Sequence, residues 1–192
     1  MMRSLLLILG AATVVLPGAV MAQDNAFVVT GSAPQVCALG AVRFGDGTAI
    51  NVSSLTPGAL QIDQLVDPAT LSTNAARARF SFPAVCTLPH RLRVQSLNNG
   101  LWRSQAAGLD AASGFANAVP YTVALEWGDA EGRFEVNASA RGAREQSLSH
   151  NVAAGDLTLT VSIDEGASNL RADAPLMAGA YADTLVVTLE PQ

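Results

Sequence analysis

The chain has 192 residues, 49% of them hydrophobic and only 14% charged, with a formal net charge of −5 and no lysine. That balance excludes the basic surface that binding to nucleic acid or an anionic membrane requires. Few charges among many Ala, Gly, Ser, Thr and Val residues suit an extracellular β protein better than a cytosolic enzyme.

The N-terminus reads as a cleavable secretory signal over residues 1–22. Arg3 is the positive start, Leu5-Leu6-Leu7-Ile8-Leu9 opens an apolar run that continues to Leu16, and Ala19-Val20-Met21-Ala22 ends in small residues before Gln23-Asp24. Pro17-Gly18 interrupts the run well short of the roughly 20 apolar residues of a membrane span. This reading places the mature chain outside the cytoplasm. No later segment is apolar enough to span a bilayer. The remaining stretch of about 170 residues fits one domain with a sizeable core.

The next segment, residues 23–35, precedes the first cysteine. Its Phe27, Val29, Gly31 and Ala33 share one parity, apolar or small throughout. It reads either as a strand seeking a groove or as the first strand of its own domain. Cys37 and Cys86 form an even pair in an oxidising compartment and are expected to make one disulfide of structural type, since they lack Cys-x-x-Cys spacing.

From there the dominant signal is period-two alternation, which sends successive side chains to opposite faces of a strand. Ala78, Phe80, Phe82, Ala84 and Cys86 alternate with Arg77, Arg79 and Ser81. Leu92 and Val94 alternate with Arg91, Arg93 and Gln95. Val119, Tyr121, Val123, Leu125 and Trp127 form a third run, Leu157, Leu159, Val161 and Ile163 a fourth, and Leu185, Val187 and Leu189 a fifth. Turns are expected at Gly45-Asp46-Gly47, Pro57-Gly58, Asn98-Asn99-Gly100, Trp127-Gly128-Asp129, Gly155-Asp156 and Gly166. The Ala-rich stretch 106–118 has room for a short helical turn. The pattern predicts a single all-β, antiparallel sandwich over residues 36–192.

Four elements together carry a family resemblance. They are the alternating N-terminal strand, Cys37-Ala38-Leu39-Gly40 followed by Val42-Arg43-Phe44-Gly45, the strand Phe80-Ser81-Phe82-Pro83-Ala84-Val85-Cys86, and the closing run Ala178-Gly179-Ala180-Tyr181-Ala182-Asp183-Thr184-Leu185-Val186-Val187-Thr188-Leu189. Over nearly the whole mature chain this layout resembles the spore-coat-U-type subunits of archaic chaperone–usher pili. The resemblance implies an immunoglobulin-like sandwich that lacks its last strand. It also implies a structural subunit of a pilus or coat that assembles by donor-strand exchange. Its partners would be identical or related subunits, a periplasmic chaperone and an outer-membrane usher. Carried onto this chain, Phe27, Val29, Gly31 and Ala33 are the donor-strand side chains, and Leu185, Val187 and Leu189 line the acceptor groove. Gly31 and Ala33 are smaller than the family's bulky pattern. The competing expectation is a monomeric, self-complemented sandwich that binds a surface glycan or protein.

No constellation for catalysis, a cofactor or a metal stands out. His90 and His150 lack ligand spacing with each other or with a cysteine, and both are expected to face solvent. Asp129 with Glu131, and Asp164 with Glu165, read as solvated turn carboxylates, and the Asp46-Gly47 turn has too few ligands for calcium. Asn51-Val52-Ser53 and Asn137-Ala138-Ser139 match the glycosylation triplet, a common chance match. Trp127 lies on the apolar parity of its strand and is expected in the core. Trp102 is open between core and surface.

Overall fold

The computed structural model describes residues 27–45, 49–56, 58–104 and 114–192. The secretory signal expected over residues 1–22 lies outside the described residues, as do most of the Ala-rich stretch and part of the Gly45-Asp46-Gly47 and Pro57-Gly58 turns. The chain divides into two compact units, residues 1–33 and residues 34–192. In the first, residues 27–33 carry no strand assignment, and Phe27, Val28 and Val29 are 88%, 87% and 94% exposed.

The second unit is all-β, with no helix among the described residues. Its strands are β1 (Cys37–Leu39), β2 (Arg43–Phe44), β3 (Val52–Thr56), β4 (Ala59–Ile62), β5 (Ala76–Cys86), β6 (His90–Ser96) and β7 (Leu101–Arg103). They continue as β8 (Ala118–Val119), β9 (Tyr121–Trp127), β10 (Ala130–Val136), β11 (Arg144–His150), β12 (Ala153–Ile163), β13 (Tyr181–Ala182) and β14 (Leu185–Pro191). The largest sheet runs β1-β5-β12-β9-β10, with β2 also on the edge of β5. A second sheet runs β11-β6-β14, and smaller ones join β13-β7-β8 and β3-β4. Every strand pairing is antiparallel.

All five alternating runs in the sequence are strands, and their parity decides what is buried. On β9, Tyr121, Val123, Leu125 and Trp127 are buried while Glu126 and Ala124 are exposed. On β6, Leu92 and Val94 are buried at 5% and 1% exposure. These faces meet Leu157 and Leu159 of β12 and Phe134 and Val136 of β10 in one core between the two main sheets. Burying each such side chain stabilises the fold by roughly 1.5–3 kcal/mol. Trp102 is also buried, in a small separate cluster with Ala118 and Ala138.

The glycine-marked turns fall where chain reversal needs a left-handed backbone. Asn99 and Gly100 have φ of 52° and 137°, and a Cβ on Gly100 would come 2.7 Å from that of Ala138. The expected turn at Gly155-Asp156 is corrected: both residues lie inside β12, opposite Ala84 and Pro83 of β5. Gly155 has φ of 127°, so it supplies local strand distortion rather than a reversal.

The disulfide joins Cys37 to Cys86, which oppose each other directly across β1 and β5. It therefore holds the short edge strand β1 on the sheet and closes a loop with a sequence separation of 49. On the chain-entropy account such a closure contributes roughly 4 kcal/mol. Replacing both cysteines by Ser is expected to lower the unfolding free energy in denaturant titration by about that amount and to reduce secreted yield. An unchanged midpoint and yield would contradict this.

Candidate functional site

A mostly apolar cleft lies beside β14. In its antiparallel pairing with β6, Leu185 faces Ser96, Val187 faces Val94 and Leu189 faces Leu92. The β6 partners are fully buried, yet Leu185, Val187 and Leu189 are only half-buried. On the inner side of Leu185 and Val187 lies a cleft of about 500 Å³. Its walls are Ala78, Phe80 and Phe82 of β5, Leu159 and Val161 of β12, Leu185 and Val187 of β14, and Val52, Leu60 and Ile62 of the β3–β4 hairpin. Leu189 lies further along β14 and packs against the core.

The backbone of β14 is arranged to match. The Leu97 N–H donates to the Thr184 carbonyl at 3.0 Å, and the Gln192 N–H donates to the Pro89 carbonyl at 2.9 Å. Backbone groups alternate sides along an antiparallel strand. Thr184, Val186, Thr188, Glu190 and Gln192 therefore face β6, while Leu185, Val187, Leu189 and Pro191 turn theirs away from it. β14 ends its sheet, and among the described residues no strand pairs with that second edge. Pro191 sits on the outward parity, where its missing N–H interrupts no ladder bond to β6. Leu185 and Val187 thus present their side chains to the cleft and their backbone groups to the unpaired edge.

Asp183 sets this arrangement. Its Oδ2 accepts from the Ser96 hydroxyl at 2.5 Å, the Tyr121 hydroxyl at 2.6 Å and the Gly100 N–H at 3.2 Å. Its Oδ1 accepts from the backbone N–H groups of Asn98 at 2.9 Å and Thr184 at 2.7 Å. One carboxylate thus joins the end of β6, the turn after it, β9 and the entry to β14. Burial, then the hydrogen bond to Asp183 and its negative charge, push the Tyr121 hydroxyl well above its ordinary value of 10.0. Tyr181 donates to the Met177 carbonyl at 2.7 Å and is also raised, chiefly by burial. The Tyr-x-Asp-Thr-Leu run at the end of the chain is therefore an anchoring device in this structure. Its legible signal is parity, since Tyr181 and Asp183 share the inward phase of Leu185, Val187 and Leu189.

The two histidines are corrected from their expected solvent exposure. His90 is fully buried, with Nδ1 3.1 Å from the Leu88 carbonyl and its ring 4.8 Å from that of Trp127. It shares the inward parity of Leu92 and Val94, so strand phase outweighs its polarity. His150 is half-buried, stacked on Trp127 at 6.0 Å, with Nε2 3.2 Å from Asp129 Oδ1. Trp127 is core, as its parity requires. Among the described residues no group of three or more His, Cys, Asp or Glu side chains is placed to hold a metal ion. Phe27 and Val29 are exposed, and Gly31 has no atom within 4 Å of the position of an added Cβ.

Asp183→Ala leaves two hydroxyls and several N–H groups without their acceptor and is expected to destabilise the protein by about 3 kcal/mol in denaturant titration. A loss below about 1 kcal/mol would contradict the anchoring role. Because both tyrosines are raised in the folded state, their stabilising contribution is complete below pH 10 and is lost as pH rises above it. Tyrosinate absorbance of the native protein is therefore expected to lag that of the unfolded chain at pH 10–11, and coincident titrations would refute this. No protein-family model matches this chain, and no curated protein sequence matches it either.

Proposed function

We propose that this protein is a secreted structural subunit of a surface pilus or coat, assembled by strand donation between copies. The donor is the segment containing Phe27, Val29, Gly31 and Ala33, and the acceptor is the β14 edge with its cleft. The observation that carries this reading is the coincidence on β14 of an unpaired backbone edge with half-buried inward side chains over an open apolar cleft. In this reading the domain is an immunoglobulin-like sandwich short of its last strand, and the neighbour's segment supplies it.

The physical logic is β-augmentation. Backbone hydrogen bonds to Leu185, Val187 and Leu189 supply affinity, and alternate side chains entering the cleft supply register. Phe27 and Val29, now almost fully exposed, would each gain roughly 1.5–3 kcal/mol by burial. Gly31 and Ala33 contribute little apolar area, so the grip is concentrated in the first half of the segment. Donor and acceptor are different surfaces of one molecule, so the contact is head-to-tail and extends rather than closing. An unfilled edge and cleft would invite aggregation during export. A periplasmic chaperone that covers them, and an outer-membrane usher that exchanges it for the next subunit, are the partners this chemistry calls for. In this reading the protein has no catalytic role.

Purified mature protein is expected to form polymers that persist in SDS without heating, and deletion of Gln23–Ala33 is expected to abolish them. Monomers from both forms alike would overturn the proposal and favour a self-complemented binding module for a surface glycan or protein.

A further inference from the structure

The β3–β4 hairpin stands apart from the sheets it touches. It forms its own two-stranded sheet, and among the described residues neither of its strands pairs with another strand. Yet Val52, Leu60 and Ile62 form one wall of the cleft beside β14. Among the described residues, the hairpin's side chains line the cleft while its strand pairing stays within β3 and β4.

Its base is fastened differently. Ile50 and Arg77 exchange backbone hydrogen bonds at 2.9 and 3.0 Å, which pins the entry to β5. Asn51, at φ 55°, donates from Nδ2 to the carbonyls of Gln64 at 2.8 Å and Ala75 at 3.2 Å, and its Oδ1 accepts from the Gln64 N–H at 2.9 Å. The Asp63 N–H donates to the Asn51 carbonyl at 3.1 Å, and the Ser53 hydroxyl donates to Asp63 Oδ1 at 2.6 Å. A polar clamp at residues 50–51 and 63–64 therefore bounds a unit whose backbone bonds, among the described residues, are all internal. Such a unit opens without breaking any pairing of the main sheets.

We propose that the β3–β4 hairpin is a hinged cover of the cleft, closed over its apolar wall in the free subunit and displaced when a strand enters. The cover itself is a property of the monomer, whereas its role in gating assembly rests on the function proposed above. Closed, it reduces the apolar surface shown to solvent. Open, it widens access to Leu185 and Val187 for an incoming strand. Its opening equilibrium then sets how readily the free subunit accepts one.

The test uses the mature chain carrying Val29→Asp, which blocks strand donation if assembly works as proposed and leaves the monomer unaffected if it does not. In hydrogen–deuterium exchange, the amides of residues 52–56 and 58–62 are expected to exchange as a group, at least 100-fold faster than those of β5 and β12. Asn51→Gly preserves the left-handed backbone but removes the side-chain clamp. It is expected to speed exchange of the hairpin about tenfold and to raise anilinonaphthalene sulfonate fluorescence severalfold, with β5 and β12 protection unchanged as the control for folding. Leu60→Ser, which weakens the apolar seat instead of the clamp, is expected to act in the same direction. Hairpin amides as protected as those of β5 would overturn the cover, as would Asn51→Gly and Leu60→Ser both leaving exchange and dye binding unchanged. Failure of assembly would appear separately, as absence of SDS-resistant polymers from the unsubstituted chain.

Discussion

The Asp183 carboxylate is the constraint on which the functional part of this molecule depends. It gathers hydroxyls from β6 and β9 and backbone N–H groups from the turn after β6 and from the entry to β14. A carboxylate shared among so many donors tolerates little displacement, because each lost bond leaves a partly buried polar group unpaired. Asp183 lies two residues before the first residue of β14, so fixing it fixes the phase of every residue that follows. A one-residue slip would turn Val186 and Thr188 into the cleft and move Pro191 to the side facing β6. The correct phase puts apolar side chains inward, unpaired backbone outward and Pro191 where it does no harm.

Against this well-determined strand stands an incompletely covered core. The face of β6 is sealed, whereas its neighbour β14 leaves Leu185 and Val187 on the wall of a cleft. A protein of this size has ample apolar sequence to close such a gap, and most of its core is closed. The openness is local, walled by the paired strands β5, β12 and β14 on one side and by the self-contained β3–β4 hairpin on the other. Firm walls on β5, β12 and β14 are what strand addition requires, since they keep the slot from collapsing before the strand arrives.

Much of this was legible in the sequence, because period two is a strong signal when one face is buried. The alternation in β5, β6, β9, β12 and β14 located those strands and their inward residues. Weakly alternating strands stayed hidden. β11 reads Arg-Glu-Gln-Ser-Leu-Ser-His with one apolar side chain, and the short β1, β2, β7 and β13 owe their form to their partners. His90 reads as a surface residue by its polarity although it lies in the inward phase of β6, and Asp183, ahead of β14, shares the inward parity of that strand. Gly155 reads as a turn because glycine punctuates loops more often than it distorts strands. The cleft could not be read at all from one dimension. It arises from where β14 stops being covered and from how the β3–β4 hairpin folds back, neither of which leaves a local pattern.

The central claim is that the outward backbone of β14 is a vacant edge waiting for a strand. Residue-resolved amide exchange by NMR tests it most directly. In the monomer, the N–H groups of Leu185, Val187 and Leu189 are expected to exchange rapidly while those of Val186, Thr188 and Glu190, bonded to β6, are protected. On assembly the first set is expected to become protected as well. Protection of Leu185, Val187 and Leu189 already in the monomer, or their continued rapid exchange in the polymer, would contradict the account.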